Sequence, residues 1–444
     1  MAETTNEIYR TMDLALRIGE LLLSSGAGAS DVKAQMENVA YACGLRGSTS
    51  DVTFTELAMS HQARSDEPAL IQLRQVRYRQ VDFGDLTQVD HLVRDLLAGR
   101  VTREEAATRL KRITSTGHSR PKWSVTLGLG VMGAGIGMVL AGDWVVIGIA
   151  FVGSVGVDVI QRYMSRRRWP VFYQQVAGGL FATLLAAGIA KAGLDVAPSR
   201  VITASIVLLL AGVSFLGAVQ DALTGFPLTS GARILEAVIA TAGAIAGVSG
   251  GLTLARVLHI GLGTLDPGSV RFADLPMLAI GGALTAAAYA FSSYVPYRAL
   301  LPIAVIGALA MAVYDLAANN RVGTNWASGV AAVVIGVVSW AVSGRARVPA
   351  LVVVTAAIVP LLPGLSIYRG LALFGAGESS GLLALANAAA ILIALSSGVL
   401  LGQYIAQPLK REARRLESRL SGPRLVGPLS ARAPHLRRRK RAPE

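Results

Sequence analysis

Two short stretches of the sequence repeat one arrangement of a proline, a serine and an arginine, Pro-x-x-Ser-x-x-Arg. The residues are Pro227, Ser230 and Arg233, and then Pro363, Ser366 and Arg369. A proline interrupts a helix and frees backbone carbonyls, and a serine and an arginine three residues apart lie on one helix face. A guanidinium binds a carboxylate through two parallel hydrogen bonds, and a hydroxyl can both donate and accept. The pattern therefore predicts a binding site for a small solute that carries a carboxylate.

Both stretches lie next to long apolar runs, where a charged side chain is costly and is a functional candidate by default. The alternative is that Arg233 and Arg369 stand at the ends of membrane spans and reach toward lipid headgroups. A single arginine would favour that alternative. Because the whole triplet occurs twice, we favour the binding site.

Acidic residues in or beside the apolar runs are candidates for proton coupling. We select Asp158, Asp221, Glu236 and Asp315. Asp158 lies near the end of an apolar segment and could equally be the partner of an arginine. Glu236 lies one helical turn beyond Arg233, so a structural ion pair between these two residues is as well supported as proton coupling.

The composition divides the chain into three zones. The 444 residues are 52% hydrophobic and 16% charged, whereas about 25% of residues are charged in soluble domains. Residues 1–122 hold 16 basic and 16 acidic residues, residues 123–408 hold 14 and 9, and residues 409–444 hold 12 and 3. A polar segment, an apolar body and a basic tail therefore follow one another. The single cysteine, Cys43, excludes an intrachain disulfide and a cysteine metal cluster, and we expect neither a metal nor a cofactor.

The apolar body contains ten segments of the length that crosses a membrane as a helix, about 20 residues. Their centres lie near residues 132, 152, 182, 209, 246, 284, 307, 333, 357 and 393, and the ninth segment is short. Lysine and arginine in the short loops, together with the basic tail, place both termini on the cytoplasmic side. The predicted fold is a polytopic α-helical membrane protein with ten transmembrane helices and a small α+β cytoplasmic N-terminal domain.

The two triplets indicate that the body is built from two repeats. Each falls between the fourth and fifth segments of a block of five, and the triplets are 136 residues apart. Because five is odd, two such blocks in tandem have opposite orientations in the membrane, as in secondary transporters with inverted repeats. We expect a domain over residues 1–122, five-helix repeats over residues 123–262 and 274–408, and a tail over residues 409–444.

The N-terminal segment combines helical and strand patterns. Apolar spacing predicts an amphipathic helix over residues 5–24, a second helix capped by Ser30 or Asp31, and two strands. Thr102 and Glu105 form a capping box for a later helix. "GAGASD", at the start of the second helix, resembles a phosphate-binding turn, but a helix precedes it where a strand should, so a plain turn with a cap is favoured.

Other motifs support weaker alternatives. Glycine-rich stretches at 128–133 and 247–251 match a dinucleotide fingerprint and a nucleophile elbow, but both lie inside apolar segments, where small residues serve helix packing. A hydrolase in the N-terminal domain is a further alternative, and its candidate residues are Asp51, Thr53, Thr55, Glu56 and His61. The tail begins with a helical pattern, "LKREARRLESRL", and ends with "LRRRKR". Because it follows a membrane segment directly, we expect it to contact anionic lipid and not nucleic acid.

Several phrases of the chain resemble the threonine/serine exporter family. They are "LLLSSGAGASDVKAQMENVAYACGL", "RQVDFGDLTQVDHLVRDLLAGRVTREEA", "GVDVIQRY" and the two Pro-Ser-Arg stretches. The resemblance covers most of residues 10–408. It implies a bacterial inner-membrane exporter of small hydroxylated amino acids, driven by the proton motive force, with a cytoplasmic N-terminal domain and ten spans. It implies no site residues, so the candidates above rest on their own chemistry.

The partners expected on this basis are a small amino acid, protons and anionic lipid, and the sequence leaves a homo-oligomer open. Related two-chain versions of the family are associated with dicarboxylate export, so a succinate-like solute is an alternative. A membrane-anchored hydrolase and a channel or scaffold without coupling are the alternatives from other classes.

Overall fold

The computed structural model describes residues 2–63, 66–76, 81–118, 120–193, 198–206, 209, 212–260, 274–320, 323–375 and 378–420. Its N-terminal part, called the head below, consists of four helices and a three-stranded sheet. The helices are α1 (Ala2–Ser24), α2 (Ala29–Ala42), α3 (Phe83–Leu97) and α4 (Arg103–Thr116), and the strands are β1 (Thr49–Val52), β2 (Glu56–His61) and β3 (Leu70–Gln75). The sheet is antiparallel in the order β1-β2-β3.

The head is built around apolar side chains that continue into the core of the membrane helices, and alternate side chains of β2 are buried in it. Leu57 and Met59 of β2 pack in one core with Ile18 of α1 and Met36 of α2, and all four are fully buried. The predicted capping box at Thr102 is present at the start of α4. These features confirm a small sheet and helices at the N-terminus, but the sheet has three strands where the sequence predicted two, because the first predicted strand turns between Val52 and Glu56.

Among the described residues that follow the head, eight helices are long and apolar enough to cross a membrane. They are α5 (Lys122–Val139), α6 (Trp144–Arg166), α7 (Val171–Lys191), α10 (Pro227–Val257), α11 (Leu275–Ser292), α12 (Tyr297–Asn319), α13 (Thr324–Ala346) and α16 (Ser380–Leu420). Mean hydropathy over 18 residues reaches 2.1 in α16 and 2.0 in α12. The prediction of a polytopic α-helical membrane protein is confirmed, with eight such helices in the described part of the chain where the sequence predicted ten. The tail beyond residue 420, with its "LRRRKR" cluster, lies outside the described residues.

The fourth and ninth predicted segments are each divided into two short helices. The pairs are α8 (Pro198–Ile206) with α9 (Gly212–Leu223), and α14 (Ala350–Ile358) with α15 (Gly364–Gly375). Between α14 and α15 the chain forms a 3-10 turn, Val359–Leu361, and then an extended residue, Leu362. Pro360 and Pro363 explain this break, because a proline lacks the amide that continues a helix.

The helices of the membrane part recur in the same order. The helix α5 begins at Lys122 and α11 at Leu275, 153 positions later, and the starts of α6 and α12, α7 and α13, and α10 and α16 have the same separation. The two sequence triplets, 136 positions apart, do not follow this spacing. Pro227 is the first residue of α10, whereas Pro363 precedes α15. The expected equivalence of the two triplets is therefore wrong, because the first proline starts a long helix and the second lies in the break between α14 and α15.

The glycine-rich motifs lie at close helix contacts. A Cβ atom added at Gly130 of α5 would lie 2.7 Å from Val155 of α6, and one added at Gly251 of α10 would lie 2.7 Å from Thr183 of α7. Only the absence of a side chain permits helices to approach this closely. These motifs therefore serve helix packing, as the sequence analysis favoured.

The head is attached to one end of the membrane helices. The amide of Phe83 donates to the carbonyl of Ser293, in the turn after α11, over 3.0 Å. The His91 ring contacts the carbonyl of Arg347, after α13, also at 3.0 Å. The Arg120 guanidinium lies between the rings of Phe291 and Tyr297, 4.4 Å from each ring centre. This end of the helices is called the head side below, and the opposite end the far side.

Candidate functional site

A buried ion pair lies at the corner between α9 and α10. Arg233 Nη1 is 2.9 Å from Asp221 Oδ2, and the two residues are 8% and 1% exposed. The chain reverses at Gly225, whose φ of 92° is rarely adopted by other residues, and Pro227 then opens α10 at a position that needs no amide donor. The corner thus brings a carboxylate and a guanidinium from two helices into contact.

The head supplies further hydrogen bonds to this pair. The amide of Ala29 donates to Asp221 Oδ1 over 2.9 Å, and Arg233 Nη2 donates to the carbonyl of Ala27 over 3.1 Å. Nearby, the Thr229 hydroxyl donates to the carbonyl of Val52 over 3.3 Å. A buried ion pair is tolerated only when such bonds replace lost water. The backbone of the head therefore helps to hold both charges in place.

The "GAGASD" turn has a role that the sequence analysis did not anticipate. The residue before α2 is Gly28, which has no side chain that could cap the helix. The acceptor for the first amide is the distant carboxylate of Asp221, at the end of a helix where the backbone dipole favours an anion. The expectation of a cap from Ser30 or Asp31 is therefore wrong, because another part of the chain provides the anion.

A second carboxylate stands close to this contact. Burial raises the pKa of Asp31 above its ordinary value, and the negative charge of Asp221 raises the pKa further. The side chain is also exposed to an open groove, so solvent screens part of the effect. A proton on Asp31 reduces the repulsion between the two carboxylates, which makes the head contact sensitive to pH.

A cavity of about 400 Å³ lies directly beneath the ion pair, between the head and helices α7, α9, α10 and α14. We call it the central cavity. Its polar lining includes Arg233, Gln175, Glu236 and Thr355. Gln175 is buried, and its side-chain oxygen has no hydrogen-bond partner within the described part of the chain. A cation, an amide and a carboxylate around one small cavity are complementary to a zwitterionic solute.

A groove of about 530 Å³, the head-side groove, lies on the other side of the ion pair. Asp31, Asp90 and Asp221 line it. Gly28 and Gln220 line both this groove and the central cavity. The Asp221–Arg233 pair therefore stands between the groove and the cavity.

A third hollow, the distal cavity, measures about 230 Å³ and lies at the break between α14 and α15. Pro363 and Ser366 of the second triplet line it, together with Asn387 near the start of α16. Val359 and Leu362 line both the distal and the central cavity. These two apolar side chains therefore separate the two cavities.

The structure places the two predicted arginines in different surroundings. Arg233 is buried at the central cavity, and Ser230 beside it is 3% exposed. Arg369 has an exposed side chain and lines none of the three hollows described above. A role for Arg369 in substrate binding stays a prediction, and the geometry does not bring it into one hollow with Arg233.

The four acidic candidates are also separated. Asp158 pairs with Arg162 at 2.8 Å and accepts from the Thr126 hydroxyl at 2.7 Å, which matches the arginine partnership that the sequence left open. Glu236 lines the central cavity with an exposed side chain, while the ion pair of Arg233 is formed with Asp221. The remaining candidate, on α12, is Asp315, which is half-buried.

The residues proposed for a hydrolase shape a hairpin. The Asp51 carboxylate accepts from the amide of Val52 over 2.9 Å, and the Thr53 hydroxyl donates to the carbonyl of Glu56 over 3.1 Å. These bonds stabilise the turn between β1 and β2. They account for the side chains of Asp51 and Thr53 without a catalytic role, and a role for Thr55, Glu56 and His61 in a hydrolase stays a prediction.

Sequence reasoning missed Gln175 and the contacts of Ala27 and Ala29. Gln175 carried a usable signal, because an amide in an apolar segment is costly and needs a partner. The two alanines carried none, since they bind through backbone groups that every residue possesses. Only the folded chain shows that the head reaches Asp221 and Arg233.

These features define a multi-pass α-helical membrane protein with a cavity on each side of an interrupted helix. The chain belongs to the threonine/serine exporter family. The family model described as "Putative threonine/serine exporter" matches residues 13–255, and a second model, "Threonine/Serine exporter", matches residues 278–405.

Two relatives match almost the whole chain. The "Probable threonine/serine exporter" of Mycobacterium tuberculosis is 35% identical over 432 residues, which cover 93% of this chain and 80% of the relative. The "Threonine/serine exporter" of Corynebacterium glutamicum is 32% identical over 416 residues, which cover 92% and 85%. No solved structure matches the chain.

Proposed function

We propose that this protein exports small hydroxylated amino acids, threonine and serine, across the bacterial plasma membrane. The names of its relatives indicate this class of solute. The observation that carries the proposal is the order of the three hollows. The head-side groove, the central cavity and the distal cavity follow one another, with Asp221 and Arg233 between the first two and Val359 and Leu362 between the last two.

In this proposal the central cavity binds the amino acid as a zwitterion. Arg233 takes the carboxylate, because a guanidinium matches it with two parallel hydrogen bonds. Glu236 attracts the ammonium group, and Gln175 offers an amide to either end. Pro227 and Ser230 support the corner that carries Arg233, and Pro363 and Ser366 line the distal cavity beyond Val359 and Leu362. The incoming carboxylate competes with Asp221 for the guanidinium, so solute binding loosens the head contact.

Transport then requires two barriers that open in turn. The first is the head, whose Ala27–Ala29 backbone holds the Asp221–Arg233 pair. The second is the pair of side chains Val359 and Leu362 at the break between α14 and α15. Interrupted helices near the middle of the membrane are the usual place for binding and gating in secondary transporters. In this structure the Asp221–Arg233 pair is formed, and Val359 and Leu362 lie between the central and the distal cavity.

The proposed membrane architecture has ten crossings, of which α8–α9 and α14–α15 are the interrupted ones. The constant offset between corresponding helices supports two five-helix repeats, residues 123–262 and 274–408, after a domain of residues 1–122. An odd number of crossings per repeat gives the halves opposite orientations. Arginine-rich turns on the head side and the basic tail of residues 409–444 support cytoplasmic termini and a tail that contacts anionic lipid.

We also propose that export is coupled to the movement of protons. Asp221 is the leading carrier, because its protonation would release Arg233 and the head at the same time. Glu236 lines the same cavity and could exchange a proton with the solute bound there. Asp158 and Asp315 are second candidates, since Asp158 is held by Arg162 and Asp315 lies beyond the central cavity.

Counterflow in liposomes tests the function. The purified protein is reconstituted with unlabelled threonine inside, and the uptake of labelled threonine, serine or succinate is measured with and without a pH gradient. We expect threonine and serine to exchange, and succinate to fail, because Arg233 is the one cationic side chain in the described lining of the two cavities. Exchange of succinate alone would establish the dicarboxylate alternative.

A matched control separates transport from leakage. Arg233→Ala removes the proposed carboxylate partner, whereas Arg298→Ala changes an arginine that donates to the carbonyls of Ala346 and Arg347 at the C-terminal end of α13, on the head side. The first variant should abolish exchange and the second should retain it. Equal rates in both variants would contradict the assignment of the central cavity. Transport that ignores the pH gradient would contradict proton coupling alone.

A further inference from the structure

The distal cavity has a lining that packing alone does not explain. Its polar members are uncharged, and no acidic or basic side chain occurs among the described residues that line it. They are Thr203, Tyr314, Thr324, Ser328, Ser366 and Asn387. A cavity of about 230 Å³ is smaller than the roughly 300–1,000 Å³ of pockets for drug-sized ligands. The lining therefore suits a small solute with a hydroxyl group.

Thr203 is the informative residue. It lies on α8, is 1% exposed, and its hydroxyl has no hydrogen-bond partner in the part of the chain that the structure describes. The Ser328 hydroxyl, in contrast, is already used, since it donates to the carbonyl of Thr324 over 2.9 Å. A buried hydroxyl without a partner destabilises the protein unless a ligand forms a hydrogen bond with it.

Other buried hydroxyls without partners have a different explanation. Ser154 and Ser205 lie at close helix contacts, against Gly133 and Gly153. Neither serine lines the distal cavity. Thr203 combines an unsatisfied hydroxyl with a position on a cavity wall, and Ser205, two residues later on the same helix, provides a matched comparison.

The first turn of α15 adds an electrostatic feature to the same wall. The helix has 12 residues and begins at Gly364, directly after Pro363, and both residues line the cavity. The amide end of a helix carries a partial positive charge that favours a carboxylate. The cavity thus offers one place for a hydroxyl and another for a carboxylate.

We propose that the distal cavity is a second binding site for the transported amino acid, in which Thr203 recognises the side-chain hydroxyl and the start of α15 faces the carboxylate. The site rests on the proposed export function, and it follows the central cavity beyond Val359 and Leu362. It gives Thr203 a part in the selection of hydroxylated amino acids, because the buried Thr203 hydroxyl has no other hydrogen-bond partner in the described part of the chain. Thr203 is therefore a specificity residue.

Competition in counterflow tests this site. Valine has nearly the shape of threonine but lacks the hydroxyl, so the ratio of the inhibition constants of valine and threonine measures hydroxyl recognition. We expect Thr203→Val to reduce this ratio about threefold to tenfold, the loss of one neutral hydrogen bond. Thr203→Ser, which keeps the hydroxyl, and Ser205→Ala should retain the ratio of the unmodified protein.

The outcomes separate this proposal from the proposed function. An unchanged ratio in active Thr203→Val protein, or an equal reduction in Ser205→Ala, would overturn the distal site while export itself stands. No threonine counterflow in the unmodified protein would instead overturn the export function. If Thr203→Val does not insert in the membrane, the comparison of Thr203→Ser with Thr203→Ala decides the same question.

Discussion

Arg233 Nη1 lies 2.9 Å from Asp221 Oδ2, and the head binds the two residues through the backbone of Ala27 and Ala29. This contact connects three parts of the molecule: the head, the corner between α9 and α10, and the central cavity. A change at the Asp221–Arg233 pair therefore affects both the attachment of the head and the charge that Arg233 presents to the central cavity.

Replacing Asp221 with asparagine should loosen the head. The change leaves the buried Arg233 guanidinium without its counter-ion, and removal of one partner of a buried ion pair costs about 3–5 kcal/mol. We expect faster amide exchange at the start of α2 and a lower Tm in detergent. Glu236→Gln, an exposed carboxylate on α10, is the control and should leave both measurements unchanged. Unaltered exchange at residues 27–32 in Asp221→Asn would contradict the attachment of the head through the Asp221–Arg233 pair.

A carboxyl group in the head should make its stability depend on pH. Burial, followed by the charge of Asp82, raises the pKa of Asp85 from 3.8 to about 6, although His118 opposes the shift. The folded protein therefore holds this proton more tightly than the unfolded chain. The protonated Asp85 carboxyl therefore stabilises the folded protein fully below pH 3.8, and this stabilisation is lost as the pH rises through about 6.

Asp85→Asn removes this dependence. We expect the Tm of the variant to exceed that of the unmodified protein above pH 6, with a difference that shrinks as the pH falls toward 4. Asp66→Asn changes an exposed carboxylate of the same domain and serves as the control. Differential scanning fluorimetry over this range checks the expectation. A difference that stays constant with pH would show that the Asp85 carboxyl is not responsible.

Patterns of hydrophobicity predicted most of the fold. The long helices could be located because membrane crossing requires about 20 apolar residues, and the capping box at Thr102 could be located because its chemistry is local. The break at Pro360 and Pro363 was less visible, since a short apolar run resembles an ordinary span. The offset of 153 positions between Lys122 and Leu275 appears only when helix starts are known.

The site was predicted only in part. Arg233 was found because a charge in an apolar setting is conspicuous. Its partner could not be chosen from sequence, since Glu236 is one turn away on the same helix whereas Asp221 meets it only through the corner at Gly225. A contact between distant segments of the chain has no local sequence pattern. The contacts that the head makes through its backbone have no sequence pattern of any kind, because every residue carries those groups.

Labelling of single cysteines should show the barrier formed by Val359 and Leu362. The chain has one cysteine, Cys43, which is first replaced with serine. Thr355→Cys lies in the central cavity and Asn387→Cys in the distal cavity. We expect a membrane-impermeant maleimide to reach Thr355→Cys only from the head side and Asn387→Cys only from the far side. Labelling of both positions from the same side would contradict the barrier.

Truncation after Leu420 should leave transport intact. The helix α16 continues to this residue, and the removed segment contains the "LRRRKR" cluster, for which we propose contact with anionic lipid. Each lysine or arginine near such a surface contributes about 1 kcal/mol to its attraction, but none belongs to a crossing. Threonine counterflow and the amount of inserted protein are the measurements. A truncated protein that inserts normally and transports nothing would contradict this role.

The most direct test of the central claim compares lysine variants of the two arginines. Arg233→Lys keeps the charge but loses the planar fork that binds a carboxylate. Hydrogen bonds to charged groups contribute about 1.5–3 kcal/mol, so the apparent affinity for threonine should fall about tenfold to a hundredfold. Arg369→Lys changes an exposed side chain outside the three hollows, and its affinity should stay close to that of the unmodified protein.

The measurement is the apparent affinity for threonine in liposome counterflow, with equal amounts of each inserted variant. We expect a large loss of affinity for Arg233→Lys and almost none for Arg369→Lys. Unchanged affinity in Arg233→Lys would contradict the central cavity as the binding site. Equal losses in both variants would instead indicate that the two arginines act on one bound solute, against the arrangement described here.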